Sequence, residues 1–187
     1  MKKEDFLQAT EELVGLIRSV DFDYVDKIAS LISNAISNGR VVYVCGNGGS
    51  AADAQHFAAE LINRFLKERK PYPAVALTTD SSVLTSIAND YSFDDVFAKQ
   101  VEALVKEGDV VIGISTSGNS ENVFRALALS KQKKATTIGL LGKDGGKIKS
   151  VCDYSFVVNS HSTPRIQEVH GFLIHLLCEI VEDNLAE

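Results

Sequence analysis

The sequence lacks tryptophan and has a single methionine, three prolines and three cysteines among its 187 residues. The cysteines are Cys45, Cys152 and Cys178. Their number is odd and no two form a C-x-x-C pair, so the chain does not have the pattern of a disulfide framework. Cys45 lies in an apolar predicted strand and Cys178 in an apolar predicted helix. We therefore expect small buried thiols in a reducing cytoplasm.

Long apolar runs and basic blocks are also missing. The segment Phe172–Val181 is the most apolar late stretch, but it is short and contains His175 and Glu179, so no membrane span is expected. No apolar run follows the charged residues 2–5, so we expect no secretory signal. The net charge of −6 is spread along the chain, which argues against a nucleic-acid partner. These absences together predict a cytoplasmic globular protein.

The hydrophobic residues show two successive patterns that predict one domain over 1–187. Residues 1–39 have helical spacing and contain two predicted helices, about 4–20 and 23–38, the second closed by Asn38-Gly39. From residue 40 onward, short apolar runs alternate with helical segments. The predicted strands are 41–45, 74–78, 110–114, 136–141 and 154–158, and the predicted helices are 50–66, 82–89 with 93–106, 120–133 and 164–185. This order is typical of a flavodoxin-like α/β fold, a five-stranded parallel sheet with helices on both faces.

Two predicted strands lead into polar loops that contain glycine and then into helices. The first loop is Gly46-Asn47-Gly48-Gly49-Ser50, where Ser50 is predicted to cap the following helix. The second is Ser115-Thr116-Ser117-Gly118-Asn119-Ser120, which places four hydroxyl groups around one glycine. Free backbone N–H groups at the start of a helix bind phosphate well. Both loops therefore predict a phosphorylated ligand at the carboxyl edge of the sheet, although each could also be an ordinary capped turn.

The first loop also fits the relaxed dinucleotide fingerprint G-x-G-x-x-A. Asp80 follows the next strand, where a ribose-binding acid would be needed, but it lies farther from the glycines than that motif requires. The serine-rich loop has no part in such a site. We therefore favour a phosphate-binding loop over a dinucleotide site. The glycines of residues 142–147, after the fourth strand, are expected to serve a turn.

Two helices carry groups suited to proton transfer or metal binding. His56 and Glu60 are four residues apart and share one helix face, an arrangement that is equally common in plain surface pairs. On the last helix, Gln167, Gly171 and His175 form a stripe, and the mid-helix glycine leaves a gap. Four nitrogen and oxygen ligands would converge if this stripe faced His56 and Glu60, which would suit zinc, although glutamine is an uncommon zinc ligand. Glu168 and His170 lie off the stripe and are predicted to be surface groups.

A phosphate anchor beside a carboxylate and a histidine fits an aldose–ketose isomerisation. In this reaction a base removes a carbon-bound proton, an enediol forms, and a proton returns to the neighbouring carbon. Glu60 is the natural base, and His175 can move protons between the substrate oxygens.

At these residues the chain resembles a known family. The segments Cys45–Glu60, Gly113–Ser120 and Arg165–His170 are similar to the phosphoheptose isomerases of the sugar isomerase (SIS) family. The serine loop is shared by SIS domains in general, whereas Gly46–Glu60 combined with Gln167–His175 is more specific. The resemblance covers nearly the whole chain. It implies an SIS domain that converts sedoheptulose 7-phosphate to D-glycero-D-manno-heptose 7-phosphate, at the start of cytoplasmic activated-heptose biosynthesis.

The resemblance also implies roles for individual residues. Glu60 and His175 would be catalytic, and one zinc per subunit would be held by His56, Glu60, Gln167 and His175. The implied substrate contacts are Asn47, Gly48, Gly49, Ser50, Glu60, Asn89, Asp90, Ser115, Thr116, Ser117, Ser120 and Gln167. It further implies a homotetramer with sites at subunit interfaces, which would give the two N-terminal helices a packing partner.

A non-catalytic relative provides an alternative. The SIS protein that binds the bacterial replication initiator is similar at Gln55–Ala59, Ile62–Phe65 and Ile87–Asp90. That relative lacks the carboxylate that matches Glu60 and the histidine that matches His175. Because both are present here, the isomerase interpretation is favoured.

Overall fold

A parallel β-sheet with helices on both faces organises the chain. The computed structural model describes residues 2–185. The helices are α1 (Lys3–Arg18), α2 (Phe22–Ser37), α3 (Gly49–Ile62), α4 (Ser81–Asp90), α5 (Ala98–Leu104), α6 (Glu121–Gln132) and α7 (Thr163–Leu185). The strands are β1 (Val42–Gly46), β2 (Ala74–Ala76), β3 (Val110–Ser115), β4 (Thr136–Gly142) and β5 (Tyr154–Val158). Short 3-10 turns occupy Phe93–Asp95 and Lys147–Val151.

The strand order is β2-β1-β3-β4-β5 and all neighbouring strands are parallel. This is the flavodoxin-like order, and it confirms the predicted fold class. One apolar cluster lies between the sheet and helices α2, α3 and α7, and a second lies between the sheet and helices α5 and α6. The alternation of β1 side chains follows from the strand period, since Val42 and Val44 join the first cluster and Tyr43 and Cys45 join the second.

Three predicted element boundaries were wrong. Helix α3 ends at Ile62 rather than near residue 66, and β2 is only three residues long. The helix predicted over 93–106 is a 3-10 turn followed by the short helix α5. Strand β2 is also not buried on both faces, because it lies at the edge of the sheet and Val75 is 39% exposed. Edge strands are commonly short.

The two N-terminal helices differ in how they pack. Helix α2 has six buried residues and lies on α7, and its C-terminus is closed at Asn38-Gly39, where Gly39 has a φ of +69°. Helix α1 also touches α7, but none of its residues is buried. Phe6, Leu7 and Val14 of α1 are large exposed hydrophobic residues. Among residues 2–185, no helix has both the length and the apolar character that crossing a membrane requires.

Candidate active site

The two predicted ligand loops leave the same edge of the sheet from neighbouring strands. Strand β1 ends at Gly46 and β3 at Ser115, and Gly46 pairs with Ile114 in the parallel ladder. The strand order reverses between β1 and β3, because the chain moves from β1 outward to β2 and from β3 toward the opposite edge. A crevice at such a reversal is the usual ligand site of open α/β sheets.

The first loop presents backbone N–H groups at the start of α3. Gly48 is the N-cap residue and has a φ of +56°, which disfavours any side chain at that position. Within residues 2–185, the N–H groups of residues 47–49 donate to no backbone acceptor. The predicted capping role of Ser50 was wrong, since Ser50 lies inside the first turn of α3 and is 4% exposed. The free N–H groups at a helix N-terminus form an anion-binding arrangement.

The serine loop holds its hydroxyl groups close together. The Ser115 hydroxyl oxygen lies 3.0 Å from that of Ser120 and 3.3 Å from that of Ser117. Ser120 occupies the N-cap position of α6, but its hydroxyl contacts Ser115 and makes no capping hydrogen bond. Gly118 adopts a φ of +67° at the turn of the loop. These hydroxyl groups and the N-terminus of α6 can donate to a phosphate without a lysine or arginine in the loop.

The turn that follows β4 packs against the serine loop. Gly145 and Gly146 have φ values of +90° and +51°, which confirms that the glycines of residues 142–147 serve a turn. The Ile148 N–H donates to the Gly118 carbonyl at 3.0 Å, and the Lys147 N–H donates to the Asn119 side chain at 3.1 Å. The close approach fixes the conformation of the serine loop.

A pair of amide side chains joins the two loops. Asn47 and Asn122 each donate to the other's carbonyl oxygen, at 2.8 and 2.9 Å. Asn122 is 2% exposed, and its oxygen also accepts from the Val123 N–H. Sequence reasoning missed Asn122, because nothing in the pattern of α6 distinguishes it from a surface asparagine.

The predicted proton-transfer residues meet where α3 packs on α7. His56 Nε2 lies 3.0 Å from Glu60 Oε1, as expected for neighbours on one helix face. His175 of α7 reaches the same point, with its Nε2 3.4 Å from His56 Nε2 and the two rings edge to face. The His56 and Glu60 side chains are 43% and 25% exposed, so the cluster is open to ligands. The structure therefore brings together three of the four predicted metal ligands.

Gln167 lies nearer the first loop than the histidines. A Cβ built on Gly49 would lie 2.0 Å from Gln167 Nε2, so the glutamine amide packs against the start of α3 where only glycine fits. His175 follows on α7 about 12 Å farther along the axis. A Cβ built on Gly171, between them, would have no atom within 4 Å. The predicted gap beside Gly171 is therefore present.

The His56 and His175 nitrogens have the separation expected of two zinc ligands. Two nitrogen ligands of a tetrahedral zinc lie about 3.4 Å apart, given zinc–nitrogen distances of about 2.0–2.1 Å. The His56 and His175 nitrogens have this separation, and the Glu60 oxygen lies close to one of them. Within residues 2–185, no three histidine, cysteine, aspartate or glutamate side chains are placed so that they could hold a metal ion together.

Asn89 and Asp90 belong to a helix that borders the first loop, since Leu84 of α4 and the nearby Phe93 line a cavity with Gly46, Asn47 and Gly48. Asn89 and Asp90 lie at the C-terminus of α4, are exposed, and hydrogen bond to each other at 2.8 Å. Asp80, the acid considered for a dinucleotide ribose, accepts from the Val83 N–H at 3.0 Å and caps α4. Asp80 therefore has a structural role that needs no cofactor.

The cavity at the first loop is smaller than one that lies away from the histidine cluster. A cavity of about 130 Å³ borders the first loop. A cavity of about 400 Å³ lies between α4 and α5 beside β2, and contains neither loop nor histidine. The exposure of the His56 and Glu60 side chains leaves their cluster with His175 on an open surface of the single chain.

The prediction that His170 is a surface group was wrong. His170 is fully buried, and its Nε2 lies 3.1 Å from the Leu141 carbonyl oxygen at the end of β4. Its Nδ1 is buried and has no hydrogen-bond partner among the described residues. Burial lowers the pKa of His170 to about 4, although the bond to Leu141 opposes this shift. A neutral ring that donates from Nε2 therefore ties α7 to the sheet. Glu168 is exposed and pairs with Arg165, as expected of a surface group.

Because the pKa of His170 is lowered in the folded protein, the free energy of unfolding is expected to fall in acid. The unfolded histidine has a pKa near 6.5, so the unfolded chain binds this proton first as the pH falls. The free energy of unfolding should be unaffected by His170 above about pH 6.5 and should fall toward pH 4, by about 3 kcal/mol in total. Urea unfolding at several pH values measures this slope. His170→Gln should flatten it, and the matched exposed change His161→Gln should not. Equal slopes in the wild type and His170→Gln would refute the assignment.

The SIS domain family model matches residues 5–142. The phosphoheptose isomerase of Geobacter sulfurreducens is 55% identical over 180 residues, which cover 96% of this chain and 91% of that protein. That of Aquifex aeolicus is 50% identical over 185 residues, which cover 99% and 96%.

Solved structures agree with the sequence relatives. The phosphoheptose isomerase from Neisseria gonorrhoeae superposes with a TM-score of 0.88 at 43% identity, covering 96% of each chain. That from Francisella tularensis gives 0.91 at 34% identity, covering 98% of this chain and 100% of that one. The chain therefore belongs to the SIS family, and within it to the phosphoheptose isomerases.

Proposed function

We propose that this protein converts sedoheptulose 7-phosphate to D-glycero-D-manno-heptose 7-phosphate, the first step of activated-heptose biosynthesis, in the cytoplasm. The observation that carries the proposal is the meeting of His56, Glu60 and His175 at the junction of α3 and α7. Helix α3 begins at the first loop, and Gln167 of α7 packs against Gly49 at its start. Curated relatives that are about half identical to this chain are named phosphoheptose isomerases, which supports the same reaction.

The two loops would hold the substrate's phosphate. The free N–H groups of residues 47–49 and the serine hydroxyl groups around Gly118 are donors, which matches an anion that only accepts hydrogen bonds. The overall charge of −6 does not favour an anionic ligand, so the local donors must provide the binding energy. Fixing the phosphate holds the other end of the sugar at a constant distance from Glu60 and His175, which makes proton transfer effectively unimolecular.

Proton transfer would be divided between Glu60 and His175. Glu60 removes a proton from C1 of the ketose, the enediol forms, and the proton returns to C2 to give the aldose. His175 moves the hydroxyl proton between the oxygens on C1 and C2. Gln167, whose amide packs against Gly49 at the first loop, would bind the sugar hydroxyl groups. Asn89 and Asp90 remain proposed substrate contacts.

Zinc is the proposed cofactor, one per subunit. His56, Glu60, Gln167 and His175 would hold it. A bound zinc would polarise the substrate oxygens and stabilise developing negative charge.

Metal removal is expected to lower activity. A chelator should reduce kcat/KM by about 100-fold or more, because Lewis-acid stabilisation is worth several kcal/mol and each 1.36 kcal/mol is tenfold in rate. Added zinc should restore it. Metal analysis of the purified protein should give one zinc per chain for the wild type and His161→Asn, and much less for His56→Asn. Full activity in a protein shown to contain no metal would contradict the proposal.

The homotetramer is proposed from the exposed features of the single chain. Helix α1 has no buried residue and exposes Phe6, Leu7 and Val14, and the cluster around His56 is open. Association of chains would cover α1 and close the site. Multi-angle light scattering measures the assembly, and a purely monomeric protein would contradict it.

The alternative function, binding to a replication initiator without catalysis, is not favoured. Such a module has no need for a carboxylate and two histidines that converge beside phosphate-type loops. The discriminating experiment incubates the purified, zinc-loaded protein with sedoheptulose 7-phosphate and follows the aldose with time. Absence of turnover together with tight binding to the initiator protein would favour the alternative.

A further inference from the structure

A buried carboxylate near the end of α7 organises the segment that follows α3. Glu182 is 1% exposed, and its two oxygens accept from the N–H groups of Phe65, Leu66 and Lys67 at 2.9, 2.7 and 2.8 Å. It also accepts from Arg69 Nε at 3.1 Å. Burial favours the neutral acid, but these four donors hold the pKa of Glu182 below its usual value. Glu182 is therefore an anion inside the protein.

Arg69 extends these contacts to the end of α3. Its side chain is 4% exposed, and its two terminal nitrogens donate to the backbone carbonyls of Glu60 at 2.7 Å and Leu61 at 2.8 Å. The same group donates to the Asn63 carbonyl at 3.2 Å and lies 3.9 Å from the centre of the Tyr72 ring. Arg69 therefore satisfies carbonyls that the end of α3 leaves without helical partners.

These contacts lead directly to the candidate catalytic residues. Phe65, whose N–H donates to Glu182, places its ring 5.7 Å from that of His175. Glu60, whose carbonyl accepts from Arg69, carries the proposed base. Glu182 follows His175 by about two turns of α7. One buried ion pair thus fixes both helices that carry the proton-transfer groups.

Stability alone does not explain this arrangement. A buried ion pair loses the hydration of both charges, and apolar side chains of similar size often stabilise a fold as well or better. Apolar side chains could not hold three successive N–H groups of an irregular segment in one place. The specific effect of the pair is therefore geometric.

We propose that Glu182 and Arg69 are positioning residues for the isomerisation: they fix Phe65 against His175 and hold the end of α3 that carries Glu60. The proposal rests on the proposed function above. Neither residue touches the substrate in this account, and both act through Phe65, Glu60 and His175.

The experiment compares Glu182→Gln with Asp183→Asn in the full-length, zinc-loaded protein. Asp183 is the adjacent acid and pairs with Lys67 on the surface, where its side chain is 58% exposed. Glu182→Gln should lower kcat about 10- to 100-fold, as small misplacements of catalytic groups do, with KM within about twofold because the phosphate loops lie at the other end of the helices. Asp183→Asn should leave both constants unchanged. Equal kcat in the two variants would overturn the proposal.

A second readout is independent of activity. The chain has four histidines, so selective labelling gives four ring signals in an NMR spectrum. The His175 ring signal should shift in Glu182→Gln and in Phe65→Leu, which removes the aromatic contact without touching the ion pair, and should not shift in Asp183→Asn. If Glu182→Gln fails to fold, Phe65→Leu still tests the contact between Phe65 and His175. An unmoved His175 signal in that variant would refute the proposal. A wild type without turnover would contradict the proposed function, and the His175 signal would still decide the positioning role.

Discussion

Glu60→Gln is expected to lower kcat by about 1000-fold, because glutamine keeps the shape of the side chain but cannot accept a carbon-bound proton, and general-base catalysis contributes about 10²–10⁴-fold. KM should change little, since the phosphate is held by the two loops and not by Glu60. Steady-state rates measure kcat, and calorimetric titration with sedoheptulose 7-phosphate measures retained binding. The loss should not be restored at higher pH, because the base is absent rather than protonated.

Glu102→Gln is the matched control for this prediction. Glu102 is an exposed acid of α5, on the face of the sheet opposite α3 and α7. The same chemical change there should leave kcat and KM as in the wild type. Turnover by Glu60→Gln within a few-fold of the wild type, in protein shown to contain zinc, would mean that another group is the base.

Gly118→Ala is expected to give the second large effect. Gly118 has a φ of +67°, and a Cβ there would lie 2.3 Å from the backbone of Gly145. Left-handed backbone costs about 1–2 kcal/mol in a residue with a side chain, and overpacking about 1–3 kcal/mol more. The serine loop must therefore move, which should weaken phosphate binding and raise KM about 10- to 100-fold, the equivalent of one or two lost charged hydrogen bonds. Initial rates over a range of substrate concentrations measure the change.

Gly39→Ala is the control variant, because it introduces the same backbone strain as Gly118→Ala without a steric clash. Gly39 has nearly the same φ, +69°, but a Cβ there would meet nothing within 4 Å. It should lower the free energy of unfolding by about 1–2 kcal/mol and leave the kinetic constants unchanged. A wild-type KM in Gly118→Ala would mean that the serine loop does not hold the phosphate.

The fold and the loops were predictable from the sequence because their signals are local. Apolar runs of strand length, followed by Gly46–Ser50 and Ser115–Ser120, specify parallel strands and the edge at which the loops meet. The spacing of His56 and Glu60 fixes their common helix face. The convergence of His175 with this pair was also expected, once the stripe on the last helix was taken to face α3.

The residues that sequence reasoning missed depend on long-range packing. Ser50 resembles a helix cap, but the N-cap of α3 lies two residues earlier, at Gly48, which adopts a positive φ. His170 is one of several polar residues on α7, and its burial against the Leu141 carbonyl distinguishes it from those at the surface. At the early end of α3, Arg69 donates to the Leu61 carbonyl, and the distant Glu182 accepts from the N–H groups of residues 65–67, which follow the helix. No periodicity within a single element reports such contacts.

A single NMR time course tests whether the two loops and the α3–α7 cluster form one isomerase site. Purified wild-type protein, loaded with zinc, is incubated with sedoheptulose 7-phosphate, and the signals of the aldose are followed. We expect the anomeric protons of D-glycero-D-manno-heptose 7-phosphate to grow until ketose and aldose reach equilibrium. A sample in which the ketose signals persist and no aldose forms would contradict the claim.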